Sequence, residues 1–259
     1  MNSNRTIPIL LTDKGKLLKG KKFKNHVYCG DPINAARVFS EFNCSEIAYF
    51  SRSGLDSKTL QILDKIVRHT MCSFAYGGGL CSIDDVNTVF KLGVEKCIFN
   101  SIAYQDLDLI KNAVLRYGSQ AICVSVDYKT FNGKIYLYSK NGTKLEGIKL
   151  NEHLSKLVDL GIGEVILSNI DKDGTRSGID LNILKNINPV PIPIIISGGL
   201  SSRSELKDII ENNQVSLGVG HLFMFMNNDF KSNLLSYFNP NFKSIFSKYL
   251  QTLNSYLNE

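Results

Sequence analysis

Glycine-rich and polar segments directly after several apolar runs carry the residue types that bind phosphate. Gly77–Gly79 and Gly198–Gly199 each lie between an apolar run and a segment with a helix-start pattern. Glycine lets backbone amides approach an oxyanion closely, and the N-terminus of the following helix favours negative charge. One glycine pair is more simply a tight turn, but two in matching positions favour phosphate. Asn100–Ser101 and Gly218–His221 follow other apolar runs, and two phosphate sites would suit an elongated bisphosphate.

A carboxylate at the end of the fifth apolar run is the best candidate for proton transfer. Asp127 directly follows Ile122–Val126, and a carboxylate at the open end of a buried strand can act as a general acid or base. A turn cap is the alternative, which the hairpin pattern after it disfavours. Asp171–Thr175 has the composition either to hold a substrate hydroxyl or to form an Asx-type turn. The two interpretations of that segment are equally good.

Eight short apolar runs alternate with amphipathic helical patterns, and this order predicts a (β/α)8 TIM barrel. Apolar strands that are each followed by a helix are typical of a parallel sheet buried on both faces. An open, doubly wound sheet is the alternative, but its first strand should lead into a Gly-x-Gly-x-x-Gly turn, whereas this one leads into Thr12–Gly15. We expect residues 1–259 to form one barrel domain whose site lies at the carboxyl ends of the strands. The predicted strands are Ile7–Leu11, Glu46–Phe50, Cys72–Tyr76, Lys96–Asn100, Ala121–Asp127, Glu164–Asn169, Pro193–Ser197 and Ser216–Gly220.

Local signals refine this prediction. Asp31-Pro32, Ser82-x-x-Asp85 and Ser202-x-x-Glu205 indicate helix starts. The two glycine pairs, 120 residues apart after strands three and seven, favour two similar half-barrels. Residues 128–150, with turns at Asn132-Gly133 and Asn141-Gly142, predict a hairpin insertion after strand five that lies over the site.

The composition disfavours several classes of function. The net charge is +6 and six lysines lie between residues 14 and 24, but without interleaved aromatic residues this favours anionic small molecules over nucleic acid. A solvated, lysine-rich loop explains most of these lysines equally well. No metal site or cofactor is expected, because the four histidines are scattered and the six cysteines, which read as buried thiols, lack C-x-x-C spacing. No apolar stretch is long enough for a signal peptide or membrane span, so we expect a cytoplasmic protein.

Over essentially its whole length, the sequence resembles the cyclase subunit of imidazole glycerol phosphate synthase, the HisF family. The matching segments are GDPINAARVFSEF, YGGGL, GVEKCIFNS, GSQAICVSVD, GEVILSNIDKDGTRSG and IIISGG. The resemblance implies a HisH-like glutaminase partner that produces ammonia. It further implies that the ammonia travels along the barrel axis and reacts at the far mouth with a ribonucleotide that carries two phosphates.

Most functional positions of the family match. The resemblance implies an acid/base role for Asp127 and makes Lys19 the lysine of the first loop. The phosphate-binding positions that match are Gly79, Asn100, Ser101, Asp173, Gly174 and Gly199. The ring of alternating charges at the ammonia entrance matches at Arg5, Glu46, Lys96 and Glu164. A stabilising salt-bridge network at the barrel bottom is a second role for this ring, and one role does not exclude the other.

Three positions depart from the family. Its aspartate at the end of strand one is Leu11, a second aspartate after strand two is Ser51, and a serine of the last phosphate site is His221. General acid–base groups contribute about 10²–10⁴-fold each. The loss of one carboxylate at Leu11 therefore predicts a severely weakened or absent cyclase activity.

The N-terminal segment PILLTDKGKLLKGKKFKNHVYCGDPINA resembles HisF paralogues associated with amidation of surface-polysaccharide (O-antigen) sugars. That resemblance implies an ammonia-transfer subunit that works with a glutaminase and with a separate sugar amidotransferase. Two alternatives remain open. One is a true histidine-biosynthesis cyclase in which a neighbour such as Asp13 replaces the missing carboxylate. The other is a protein that binds a phosphorylated ligand and regulates the glutaminase without catalysis.

Overall fold

The computed structural model describes residues 4–212 and 215–224. In chain order its elements are β1 (Thr6–Asp13), β2 (Lys16–Lys21), β3 (Lys24–Gly30), α1 (Pro32–Glu41), β4 (Glu46–Ser51), α2 (Ser57–His69), β5 (Ser73–Gly77), α3 (Ile83–Lys91), β6 (Lys96–Phe99), α4 (Leu107–Tyr117), β7 (Ile122–Phe131), β8 (Lys134–Ser139), β9 (Lys144–Leu145), α5 (Leu150–Asp159), β10 (Glu164–Asn169), β11 (Ile194–Ser197), α6 (Arg203–Asn212), β12 (Ser216–Val219) and α7 (His221–Met224). Short 3-10 helices occupy Ser101–Tyr104, Ser119–Ala121 and Leu181–Asn186.

Eight parallel strands close into a barrel, which confirms the predicted (β/α)8 fold. The order around the barrel is β1, β4, β5, β6, β7, β10, β11 and β12. The circle closes where β12 pairs in parallel with β1, with Thr6 opposite Leu217. All eight predicted strands are present, and their ends differ from the prediction by a few residues.

Both faces of the barrel strands are buried, which explains their nearly continuous apolar sequence. Alternate side chains point to the barrel axis, where one packed cluster is formed by Ile7, Ala48, Ala75, Ile98, Cys123, Ile166 and Ile195. The remaining strand residues pack against the surrounding helices in the larger core. The barrel axis is therefore lined by side chains of mixed size, two of them alanines.

The predicted helix starts are confirmed, with one change. The Asp31 side chain accepts a hydrogen bond from the amide of Asn34 (2.9 Å), with Pro32 at the first turn. Ser82 and Asp85 form a reciprocal capping box at α3. Ser202 accepts from the amide of Glu205, but the Glu205 carboxylate reaches the amide of Ser201 instead of closing the box.

The lysine-rich segment after β1 forms a hairpin and not a loop, but five of its six lysines are exposed to solvent, as the solvated interpretation predicted for most of them. β2 pairs antiparallel with β1, and β3 pairs with β2. The turn between β2 and β3 places Lys22 and Phe23 at positive φ. This pairing buries Leu17 and Lys19. The sequence pattern did not predict which residues of this segment would be buried.

The predicted insertion after the fifth barrel strand is present. β7 extends to Phe131 and pairs antiparallel with β8, around a turn in which Asn132 and Gly133 both have positive φ. Between β10 and β11 only a 3-10 helix forms. Pro189, Pro191 and Pro193 follow it, and each lacks an amide donor and disfavours helical backbone in the residue before it.

Within the described ranges, none of the helices has the length and apolar character that a membrane crossing requires.

Candidate functional site

A cavity of about 330 Å³ opens at the carboxyl ends of the barrel strands. Six of the predicted site residues line it: Lys19, Gly79, Asn100, Ser101, Asp127 and Asp173. A smaller, adjoining cavity of about 40 Å³ is lined by the other three predicted mouth residues, Gly174, Gly199 and His221. Lys19 and Asp173 line both cavities. The structure therefore brings all nine residues to one end of the barrel, called the mouth below.

Asp127 is the principal titratable carboxylate of the mouth. It lies in β7, is 6% exposed, and accepts hydrogen bonds from Asn100 Nδ2 (3.1 Å) and Ser125 Oγ (3.4 Å). Burial raises its pKa to about 7, although both hydrogen bonds favour the ionised form. A carboxyl group with such a pKa can both donate and accept a proton near neutral pH.

Lys19 reaches the mouth from β2. Its ammonium group donates a hydrogen bond to the carbonyl of Ile9 (3.0 Å). Burial lowers the pKa of Lys19, and the charge of Asp173 opposes this. Burial likewise raises the pKa of Asp173, opposed by Lys19. A Cβ atom on Gly220 would lie 2.3 Å from Lys19 Nζ, so glycine there leaves the space that the ammonium group occupies.

Asn100 and Ser101 make contacts within the protein that fix the site. Asn100 Nδ2 donates to the carbonyl of Ser125 (2.9 Å) as well as to Asp127. Ser101 Oγ accepts a hydrogen bond from the amide of Lys140 (3.0 Å), in the turn after β8. Asn100 thus orients the carboxylate, and Ser101 holds the inserted hairpin over the mouth.

The two glycine pairs have matching surroundings. Gly78 and Gly198 both have positive φ, and a Cβ atom on each would lie 2.3 Å from the Ser51 carbonyl oxygen and 2.7 Å from that of Asn169, respectively. In both places the loop after one strand packs on the end of the strand before it. The prediction of two similar half-barrels concerns the whole chain and stays a prediction.

Gly79, Gly199 and Gly174 also have positive φ and close neighbours. A Cβ atom on Gly79 would lie 2.8 Å from Gly54 Cα, and one on Gly199 would lie 2.5 Å from the Gly178 carbonyl oxygen. The contact at Gly174 is the tightest, because its Cβ atom would lie 2.0 Å from the Gly20 carbonyl oxygen. Glycine at 174 therefore allows the β2–β3 hairpin to approach the loop after β10.

Leu11 and Ser51 lie at the two positions where the resemblance implies carboxylates. Leu11 lines the mouth cavity and can neither donate nor accept a proton. Ser51 Oγ donates to the carbonyl of Gly54 (2.9 Å) and lies 3.4 Å from Thr59 Oγ1. The hydroxyl of Ser51 therefore stabilises the loop before α2 by a hydrogen bond.

His221, the third departure, lies beside a cation. Arg176 Nε donates to His221 Nδ1 (3.2 Å). Burial lowers the pKa of His221 to about 4, and the charges of Arg176, Lys19 and Lys21 add to this. The imidazole is therefore neutral at physiological pH in this environment.

Sequence patterns did not identify three further residues that line the mouth. Phe23 and His26 come from the β2–β3 hairpin, and Lys140 comes from the insertion after β7. Burial lowers the pKa of His26, and the charge of Arg52 adds to this. Lys140 lies in the predicted insertion, directly before the Asn141-Gly142 turn, but no pattern singled out any of these three side chains, and the folding of each hairpin over the barrel brings them to the cavity.

The cysteines are less uniformly buried than expected. Cys29, Cys44, Cys97 and Cys123 are buried, whereas Cys72 is partly exposed and Cys81 is exposed at the mouth. No group of histidine, cysteine and carboxylate side chains suitable for a metal ion occurs within residues 4–212 and 215–224.

A ring of four charged residues, Arg5, Glu46, Lys96 and Glu164, lies at the opposite end of the barrel. Arg5 binds Glu46 (2.9 Å) and Glu164 (2.6 Å), and Lys96 binds Glu46 (3.1 Å) and Glu164 (2.7 Å). Positive and negative groups therefore alternate around a closed circuit, called the charged ring below. Burial lowers the pKa of Arg5 and Lys96, but the two carboxylates outweigh it, so the pKa of each is raised.

Comparison with known proteins agrees with this geometry. Residues 5–228 match the model of the family described as "Histidine biosynthesis protein". The imidazole glycerol phosphate synthase subunit HisF of Streptococcus mutans is 36% identical over 217 residues, covering 82% of this chain and 86% of the relative. A Pseudomonas aeruginosa relative, provisionally named imidazole glycerol phosphate synthase subunit hisF2, is 35% identical over 234 residues (87% and 92% covered). A provisionally named HisF subunit of Leptospira interrogans is 32% identical over 229 residues (85% and 90% covered). The chain therefore belongs to the histidine biosynthesis protein family, among its HisF-like imidazole glycerol phosphate synthase subunits.

Proposed function

We propose that this chain is the ammonia-accepting subunit of a glutaminase complex and that it supplies ammonia for amidation of a surface-polysaccharide sugar. The observation that carries this proposal is the contrast between the two ends of the barrel. The charged ring is complete, with four ion pairs of 2.6–3.1 Å. At the mouth, Leu11 lines the cavity at the position where the resemblance implies the second catalytic carboxylate, so Asp127 has no such partner there.

The charged ring is the proposed docking and entry point for a HisH-like glutaminase. Its side chains are 8–19% exposed, so they meet solvent at the amino-terminal end of the strands. Removal of water from such a ring would be costly without its mutual pairing. Entry of ammonia through the ring would require at least one of these ion pairs to open. Beyond the ring, the axis is filled by the packed cluster that contains Ala48 and Ala75, so ammonia would pass only as these side chains move.

The mouth retains the groups for a phosphorylated ligand and for one proton transfer. Lys19 and the glycine loops are the proposed phosphate contacts, with His221 and Arg176 beside the second cavity. Asp127 can exchange one proton, because burial brings its pKa to about 7. Because Leu11 carries no acid or base, the second proton transfer has no catalytic group, and the loss of such a group lowers the rate about 10²–10⁴-fold. Ammonia that reaches this mouth would pass to a separate, cytoplasmic sugar amidotransferase.

One contact weighs against the true cyclase as an alternative. Asp13 is the carboxylate nearest in sequence to Leu11, and its carboxylate lies 3.8 Å from the Arg52 guanidinium. Asp13 is not among the residues that line the mouth cavity. It is therefore poorly placed to replace the missing carboxylate. The regulatory alternative predicts a faster glutaminase without ammonia delivery to an acceptor.

The first test compares cyclase activity of the wild type, Leu11→Asp and the uncharged control Leu11→Asn, with the bisphosphate ribonucleotide of the family and an ammonium salt. We expect an inactive wild type and control, and a gain of about 10²-fold or more in Leu11→Asp. Useful turnover by the wild type would identify a histidine-pathway cyclase instead.

The second test adds a HisH-like glutaminase and glutamine and follows ammonia in solution and in a sugar acceptor. Transfer to the acceptor that depends on Lys96 would support the conduit. Stimulated glutamine hydrolysis with all ammonia released to solution would support the regulatory alternative.

A further inference from the structure

Two cysteines lie side by side at the end of the barrel that carries the charged ring. Cys44 precedes β4 and Cys72 precedes β5. The two strands are parallel, with Glu46 opposite Ser73, and the Ser73 amide donates to the Ser45 carbonyl (3.1 Å). Cys44 and Cys72 are thus offset by a single residue across neighbouring strands.

This offset matches the geometry of a disulfide. Paired strands lie about 4.8 Å apart and rise about 3.3 Å per residue, which puts the two Cα atoms about 6 Å apart. Disulfides need a Cα separation of about 4.4–6.8 Å. Both side chains face the same hydrophobic cluster, since Cys44 belongs to it and Cys72 packs against it.

The two thiols differ in access and reactivity. Cys44 is buried, whereas Cys72 is partly exposed and follows Met71, whose side chain is fully in solvent. The hydrogen bond from Cys44 lowers the pKa of Cys72, and a further one from Ser40 acts in the same direction. The same contact with Cys72, followed by burial, raises the pKa of Cys44. A reagent in solution therefore reacts first with the Cys72 thiol, and the buried Cys44 thiol lies next to Cys72 and can react with it afterwards.

We propose that Cys44 and Cys72 are a dithiol that a small-molecule disulfide such as oxidised glutathione converts into an intramolecular disulfide. The Cys72 thiolate attacks oxidised glutathione, and a mixed disulfide forms as one glutathione leaves. Cys44 then loses its proton and attacks the Cys72 sulfur, and the second glutathione leaves. Two cysteine thiols are oxidised and one glutathione disulfide is reduced to two thiols.

The cross-link would join the two segments that enter β4 and β5, next to Glu46 of the charged ring. It is independent of the proposed function, because it depends only on the two thiols. The exposed Cys81 provides an internal comparison. It has no cysteine partner in contact within the described residues and should stop at the mixed disulfide.

The experiment treats the native Cys81→Ser protein with oxidised glutathione, blocks free thiols with iodoacetamide and maps tryptic peptides by mass spectrometry without reduction. Trypsin separates residues 38–52, which contain Cys44, from residues 69–91, which then contain Cys72 as their single cysteine. We expect these two peptides to be joined, and Cys29, Cys97 and Cys123 to be alkylated only after unfolding. Wild-type protein should add one glutathione at Cys81.

Cys44→Ala in the same background should leave Cys72 as a stable glutathione adduct, which identifies Cys72 as the attacking thiol. Recovery of Cys44 and Cys72 as free, alkylated thiols would overturn the proposal. So would a glutathione adduct that persists on Cys72 while Cys44 is intact. The decisive measurement uses both native cysteines, so instability of the Cys44→Ala variant would not affect it.

Discussion

The Asn100 side-chain amide donates a hydrogen bond to Asp127 Oδ2 across 3.1 Å, from the end of one barrel strand to its neighbour. The same amide is held by the Ser125 carbonyl, which fixes its direction. Asn100 therefore stabilises the ionised form of a carboxyl group that burial destabilises. Burial is the larger effect, and the pKa of Asp127 is about 7.

Asp127→Asn should remove a pH-dependent cost to stability. The pKa of this carboxyl is about 7 in the fold and near 3.8 in the unfolded chain, so the folded state favours the protonated form. Its contribution is fully present below the unfolded pKa and is lost as pH rises toward 7. The corresponding free energy is at most about 4 kcal/mol. Urea unfolding from pH 5 to pH 8 should show wild type losing stability relative to Asp127→Asn, and a constant difference would contradict this.

Asn100→Leu should raise the pKa of Asp127 further. A hydrogen bond to a charged group contributes about 1.5–3 kcal/mol, which corresponds to a rise of about 1–2 in pKa. Carboxyl ¹³C chemical shifts of labelled aspartate, followed against pH, measure this directly. Asn151→Leu, which removes a distant, exposed amide, is the matched control. An unchanged or lower pKa in Asn100→Leu would show that the amide does not stabilise the carboxylate.

The barrel was predictable because its signal is local. Each barrel strand is apolar on both faces, and caps such as Asp31 and Ser82 mark where helices begin. The β2–β3 hairpin carries no such signal, since lysines alternate irregularly with leucines and the first turn after β1 resembles a loop. Its antiparallel pairing with β1 comes from tertiary contacts, including the Lys22 amide to the Asp173 carbonyl (2.8 Å).

The sequence predicted where the site lies, but not which contacts its residues make with one another. Residues at strand ends such as Asp127 and Asn100 meet at the mouth because all eight strands are parallel. No pattern indicated that Ser101 would hold Lys140, or that Gly174 would face Gly20. Both contacts depend on hairpins that are inserted between barrel elements, whose positions are set by packing.

Lys96→Met should destabilise the barrel strongly. It leaves Glu46 and Glu164 with Arg5 alone in the charged ring, at side-chain exposures of 8% and 12%. Loss of one partner from a buried ion pair costs about 3–5 kcal/mol, and we expect the low end because the ring is partly exposed. Lys156→Met is the control, since its exposed pair with Glu152 contributes about 0.3–0.5 kcal/mol. Equal losses in urea unfolding would mean that the charged ring does not stabilise the fold.

Gly174→Ala should move the β2–β3 hairpin away from the barrel. The added Cβ atom would lie 2.0 Å from the Gly20 carbonyl oxygen, a contact that backbone must relieve by shifting. Gly133→Ala is the matched control, because Gly133 has a similar positive φ (72° against 67°) with no neighbour within 4 Å. The two variants share the conformational penalty, so their difference in unfolding free energy isolates the clash, expected at about 1–3 kcal/mol. The shift should also break the bond from the Lys22 amide to the Asp173 carbonyl, so hydrogen exchange at Lys22 should accelerate in Gly174→Ala alone. Unchanged exchange with equal stabilities would mean that the hairpin is held by other contacts, and that Lys19 reaches the mouth without help from Gly174.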